Sequence, residues 1–158
     1  MDSFEQWYRT VYPGVVTTLS VVLGSTEDAA DATAEAFLRA YQRWDRVAGM
    51  DRPDGWVYRV ALNVGRRHGR RLRADAARAR AVALPIRTAE ATEALEEFHG
   101  LLEGLSDRMK EVLALRHVAD LTEPMIAEVL GVSRSTVSST LRDAHRRIER
   151  SLDAEERP

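Results

Sequence analysis

The residues best equipped for chemistry lie in one run near the C-terminal end, SRSTVSSTLRDAHRR, from Ser133 to Arg147. Ser133, Arg134, Ser135, Thr136, Ser138, Ser139, Arg142 and Arg146 offer hydroxyl and guanidinium donors. Such groups hydrogen-bond phosphate oxygens and the edges of bases. Donors of this kind suit the binding of a phosphate backbone. A second set follows a different spacing: Arg59, Asn63, Arg66, Arg67, Arg70 and Arg71. Arginine there can hold phosphate and asparagine can read a base.

Other chemistries lack their parts. His68, His99, His117 and His145 are scattered, there is no cysteine, and no pair has a metal-ligand spacing. No phosphate-cradling or dinucleotide loop appears. Glu96 and Glu97 sit in a polar helical pattern, without the apolar surroundings that would tune a carboxyl for acid–base work. The expectation is a protein that is not an enzyme and takes no cofactor or metal.

The elements that position these residues can be read from periodicity. Thr122 is placed as a helix N-cap, with Glu123 and Pro124 in the first turn. Met125, Ile126, Val129 and Leu130 form an apolar stripe, and Gly131 ends it with a left-handed residue. Val132 plugs the corner and Ser133 caps a second helix, whose stripe is Val137, Leu141, Ala144 and Ile148. A short helix, a tight turn and a second helix with small polar residues at its start is the helix-turn-helix pattern. An ordinary helical hairpin is the plainer alternative.

Earlier in the chain, Phe4, Trp7, Tyr8, Val11 and Tyr12 predict a helix. Pro13-Gly14 predicts a break, and Val15, Val16, Leu19, Val22 and Leu23 a second helix. Ser25 and Thr26 open a helix over about 27–45, with Ala30, Ala34, Phe37, Leu38, Tyr41 and Trp44 on one face. Residues 46–55 read as a loop in which Pro53 can start the next helix, and Trp56, Val57, Val60, Ala61 and Val64 are that helix's apolar stripe. Residues 74–92 are rich in alanine, carry Pro85 and read as a linker. Leu95, Phe98, Leu101 and Leu102 predict another amphipathic helix. Ser106 caps one bearing Met109, Val112, Leu113 and the run from Leu115 to Val118.

The chain has 158 residues and a formal net charge of −2, which by itself points to no partner. The distribution says more: residues 59–80 hold eight arginines and one acid, acids prevail over 90–111, and bases return over 134–150. Two basic segments suggest two places that meet phosphate. The N-terminus has no basic leader, and the apolar run Val15–Leu23 is too short to span a bilayer, so no membrane insertion and a cytoplasmic location are expected.

Three stretches together, DAADATAEAFLRAYQRW, RPDGWVYRVALNVGRRHGRR and the helix-turn-helix, resemble the sigma-70 family of RNA polymerase sigma factors, in particular its small two-domain extracytoplasmic-function group. The resemblance covers about residues 4–152. It implies an all-α fold: residues 1–73 as region 2, 74–92 as a flexible linker, 93–152 as region 4, and 153–158 as a tail that frays. It further implies that Asp31, Glu35, Leu38, Arg39 and Arg43 meet the polymerase clamp, with Phe37 in the same segment. The loop from Asp45 to Gly55 would capture an unstacked base of the −10 element. Arg52, Arg59, Asn63, Arg66, Arg67 and Arg70 would bind that element, and the Ser133–Arg146 set the −35 element. Trp56 would mainly pack. The implied partners are core RNA polymerase, promoter DNA and, as is common in the family, an anti-sigma factor, with the free protein a monomer. The chain departs from the family's pattern at Ala30 and Ala34, and at Ser138, Thr140 and Asp143, where basic residues are frequent. Two other readings are a sigma-like protein that binds polymerase or a regulator without reading promoters, and a stand-alone helix-turn-helix repressor. The repressor leaves the first two stretches unexplained.

Overall fold

The computed structural model describes residues 3–78 and 93–155, all of whose regular elements are helical. The chain divides into two compact units, Met1–Ala91 and Thr92–Pro158.

In the first unit, α1 (Phe4–Leu23) starts at Ser3, whose hydroxyl accepts from the Gln6 N–H at 3.3 Å, and ends at Gly24 with φ 72°. The expected break at Pro13-Gly14 does not occur: α1 is one helix with Pro13 inside it. Proline removes the hydrogen bond to the carbonyl four residues back, a cost of ~3 kcal/mol. Arg9 and Pro13 are both exposed, so water can serve that carbonyl. Burial of Val15, Leu19 and Val21 on the opposite face offsets the rest. Gly14 lets α4 (Pro53–Arg78) approach closely, since a Cβ there would stand 3.3 Å from the Tyr58 hydroxyl.

Helix α2 (Thr26–Gln42) is capped by Ser25, whose hydroxyl accepts from the Asp28 N–H at 3.1 Å. Its buried face is Ala29, Ala32, Thr33, Ala36, Phe37 and Ala40. Of the face expected from the sequence pattern, Phe37 is buried, Ala30 and Trp44 are half-buried, and Ala34, Leu38 and Tyr41 are exposed. Alanines carry the packing because α1 and α4 both lie against α2. Small side chains let helix backbones come close. The helix stops at Gln42, short of the expected residue 45, and a separate turn of helix, α3 (Trp44–Ala48), follows. Phe4, Trp7, Tyr8, Tyr12, Phe37 and Trp44 then form one aromatic cluster. Trp7 stacks at 5.0 Å from both Phe37 and Trp44, and Tyr8 meets Phe37 edge-on at 85°.

Helix α4 (Pro53–Arg78) begins at Pro53, so residues 53–55, expected in a loop, are its first turn. Proline is favoured there because the first amides have no partner within the helix. Trp7 Nε1–H donates to Asp54 Oδ1 at 2.6 Å and ties that first turn to α1. Val57, Tyr58, Ala61, Leu62 and Val64 are buried. Tyr58 and Leu62 were absent from the expected stripe, and Val60 and Trp56, which were in it, are half-buried. The helix runs five residues into the segment expected as linker, and residues 79–92 lie outside the described part.

The second unit comprises α5 (Glu93–Leu102), α6 (Asp107–His117), α7 (Glu123–Leu130) and α8 (Arg134–Glu155). Ser106 caps α6 by accepting from the Met109 N–H at 3.3 Å. Thr122 stands at the N-cap of α7 without a side-chain cap bond. Gly131, at φ 66°, closes α7, and the Val132 N–H donates to the Ala127 carbonyl at 3.1 Å. This is the left-handed cap that the sequence predicts. Val112, Leu113, Leu115, Ile126, Val129, Val137, Leu141 and Ala144 make the core. Met125, Leu130 and Ile148, expected beside them, are half-buried. Glu111 is also buried, with Arg108 Nη1 at 3.4 Å from its Oε2. Helix α8 continues to Glu155, past the point where the tail was expected to fray; residues 156–158 lie outside the described part.

Candidate nucleic-acid interface

The helix-turn-helix is built by its caps. Ser133 Oγ accepts from the Thr136 N–H at 3.1 Å and sits 3.0 Å from Ser135 Oγ and 2.7 Å from Thr136 Oγ1. Three hydroxyls therefore cluster at the N-terminus of α8, where the helix dipole favours an anion. Ser139 Oγ donates to the Thr136 carbonyl at 3.1 Å. Ser133, Arg134, Ser135, Thr136, Ser139, Arg142 and Arg146 are all exposed, while Val137, Leu141 and Ala144 face the core. Ser138 and Arg146, both expected DNA ligands, are engaged by carboxylates. Ser138 is half-buried and donates its hydroxyl to Glu123 of α7, and Arg146 pairs with Asp143 one turn back.

On α4, Arg59, Asn63, Arg67 and Arg70 are exposed and Arg66 is half-exposed. Their spacing of three and four residues places them on one side of the helix. Arg66 Nη1 donates to Asn63 Oδ1 at 3.0 Å, which leaves the Asn63 amide as a donor. Arg52 is exposed just before the helix. Burial pushes the Tyr58 hydroxyl above the usual tyrosine range; the Thr18 hydrogen bond works against this and Asp54 adds to it.

On α2, Asp31, Leu38 and Arg43 are exposed, and Glu35 and Arg39 partly so. Glu35 pairs with Arg39, and its Oε2 lies 3.5 Å from His68 Nε2 of α4. Leu38 and Tyr41 are 56% and 64% exposed, which makes them the large apolar groups that this helix leaves uncovered. Beside them, Tyr41, Gln42, Arg43, Trp44, Asp45 and Arg46 line an open hollow of about 670 Å³.

One contact escaped the sequence reading. His117 of α6 and His145 of α8 bring their Nε2 atoms to 3.2 Å. They are 28 residues apart, and no local pattern connects them. The His117 pKa is lowered by burial first, then by His145 and Arg116. Among the described residues no group of three or more metal-ligating side chains converges.

A helical unit with an arginine- and asparagine-bearing face, followed by a helix-turn-helix unit, defines a two-part DNA-binding protein. The family models agree with that division. Sigma-70 region 2 matches residues 7–75 and Sigma-70, region 4 matches residues 101–150, so the chain belongs to the sigma-70 family of RNA polymerase sigma factors. Its function is to direct RNA polymerase to promoters. It is 27% identical to an RNA polymerase sigma-E factor of Streptomyces avermitilis, over 96% of this chain and 86% of that one. It is also 27% identical to the one of Streptomyces antibioticus, over 95% and 84%. The fold is that of the sigma factor RpoE in its complex with the anti-sigma factor NepR from Bartonella quintana. That match has a TM-score of 0.79 and 17% identity, and covers 95% of this chain and 96% of the other. CnrH in complex with the cytosolic domain of CnrY is similar too, at a TM-score of 0.70 and 22% identity over 97% and 89%. Among the described residues no helix is long and apolar enough to cross a membrane.

Proposed function

We propose that the two arginine-bearing faces divide promoter recognition between them. In this reading residues 1–73 are the polymerase- and −10-binding domain, 74–92 the linker, 93–152 the −35-binding domain and 153–158 a tail. Core RNA polymerase supplies the catalysis, this chain is not itself an enzyme, and both act in the cytoplasm. Asp31, Glu35, Leu38, Arg39 and Arg43 dock on the clamp. The exposure of Leu38, beside Tyr41, supports this, because an uncovered apolar pair on a charged helix suits a protein partner.

The α4 face of Arg52, Arg59, Asn63, Arg66, Arg67 and Arg70 holds the melted −10 strand. Guanidinium groups neutralise phosphates and the Asn63 amide donates to a base edge. The segment from Asp45 to Gly55 takes an unstacked base, helped by the hollow at its start. At the −35 element, Ser133, Arg134, Ser135, Thr136, Ser139 and Arg142 make the main contacts. Ser138 and Arg146 contribute less, because each is already engaged by a carboxylate that also repels phosphate. An anti-sigma factor is the expected regulator, as the solved relatives are bound to one or to a cytosolic partner domain. The free chain is taken as a monomer.

The single observation that carries this reading is the alignment of Arg59, Asn63, Arg66, Arg67 and Arg70 on one side of α4, in a chain that also holds a helix-turn-helix. The test is open-complex formation with core polymerase, followed by a fluorescent base near −10. Asn63→Ala and Arg66→Ala are expected to lower opening at least tenfold while leaving core binding within about twofold, a difference of roughly 1 kcal/mol or more. Equal loss of both would contradict the assignment. Core binding without opening by the wild type on any genomic fragment would favour the interaction protein instead.

A further inference from the structure

The His117–His145 pair lies outside both arginine-bearing faces, and promoter binding makes no use of it. Its two rings come from different helices, α6 and α8, and both residues are exposed, so a dissolved ion can reach them. The Nε2 atoms are 3.2 Å apart, the ring centroids 5.4 Å, and the ring planes are tilted by 60°. Two imidazoles on one tetrahedral zinc, each bonded at ~2.0–2.1 Å, hold their nitrogens about 3.3 Å and their centroids about 5 Å apart. The observed pair is closer to head-on, so each ring must tilt by roughly 20° for both lone pairs to converge on one ion. Imidazole nitrogen is a ligand of Zn²⁺, Ni²⁺ and Cu²⁺ alike, and the remaining coordination positions would be filled by water. The competing use of the same contact is a hydrogen bond from one ring to the other, which needs no ion.

We propose that His117 and His145 form a bidentate site for a borderline divalent transition metal ion, one that clips α6 to α8. Both ligands are preplaced by the packing of α6 on α8, so the site needs no folding step to assemble. Two protein ligands give a weak, exchangeable site, unlike the closed four-ligand sites that hold structural zinc. Binding at this site stabilises the second unit by mass action and leaves the donors at the start of α8 free.

The test is isothermal titration of the full-length chain with Zn²⁺, and separately with Ni²⁺, at neutral pH. The expected result is one site per chain that is weakened at least tenfold by either His117→Gln or His145→Gln. Glutamine can still hydrogen-bond the remaining imidazole, so these variants keep a purely structural contact while removing one ligand. Circular dichroism checks that each variant stays folded. His68→Gln, which alters the Glu35 contact on α4, is expected to leave the affinity within about twofold, well under 1 kcal/mol. The imidazole proton resonances of His117 and His145 are expected to shift together on adding Zn²⁺. The proposal is overturned if no binding is seen, if the His68 variant alone removes it, or if both glutamine variants bind as the wild type does.

Discussion

Ser138 shows how a neighbouring side chain can decide what a DNA-facing position is worth. Its hydroxyl is donated to Glu123, so an acid from α7 sits beside the surface proposed to meet phosphate. A Ser138→Arg change would place its guanidinium against that carboxylate rather than in open solvent. One free phosphate contact steepens the dependence of log K on log salt by ~0.9. Ser138→Arg is expected to add less, and the same change on a Glu123→Gln background nearly the full amount; holoenzyme binding to a −35 duplex across a salt series reads the difference. At the helix start, Ser133→Ala removes the cap of Thr136 and should cost about 1 kcal/mol in the second unit's stability. Tyr58 sets a pH limit on the other unit. Its folded pKa is raised, so above the ordinary tyrosine value the unfolded chain releases this proton while the folded chain keeps it. Stability is therefore unaffected by this group below roughly pH 10 and falls as pH rises beyond it. Tyr58→Phe should flatten that alkaline loss in a denaturant titration at pH 9 and 11, at some cost from the lost Thr18 bond.

Helix α2 marks the boundary of what periodicity can tell. Its existence, its Ser25 cap and its acidic first turn are legible in the residues, but its buried face is not. A stripe is recognised by large apolar side chains, and here two of them, Leu38 and Tyr41, point outward while Phe37 shares the core face mostly with alanines. Alanine carries little hydrophobic signal, so close helix packing leaves almost no trace in the pattern. The helix-turn-helix was readable for the opposite reason, because Gly131, Thr122 and Ser133 are set by backbone conformation rather than by neighbours. Pro13 misled because the cost of a proline inside a helix was outweighed by the packing of the rest of α1, and Arg9 and Pro13 are exposed, where water can serve the carbonyl left over. The His117–His145 contact depends on how α6 and α8 meet, which no single helix encodes. The α2 assignment can be checked directly. Ala36→Leu should destabilise the first unit by about 1–3 kcal/mol through overpacking. Ala34→Leu should leave it within ~0.5 kcal/mol. Gly131→Ala should cost the second unit about 1 kcal/mol, since φ 66° crowds a Cβ.

Across the whole chain, each unit has its own buried core, so each can open without the other. Calorimetry of the free protein is expected to resolve two transitions, and Ala36→Leu should move only one of them. A single cooperative transition lowered as a whole by that change would mean that the units unfold as one. The aromatic cluster around Trp7 and Phe37 gives this division an optical side. Trp7, Trp44, Trp56 and every tyrosine belong to the first unit, and the second holds no tryptophan or tyrosine and one phenylalanine, Phe98. Emission and near-ultraviolet dichroism therefore watch one half of the molecule and are blind to the other. A fluorescence melt would report a clean midpoint while the helix-turn-helix half had already unfolded, or had yet to begin.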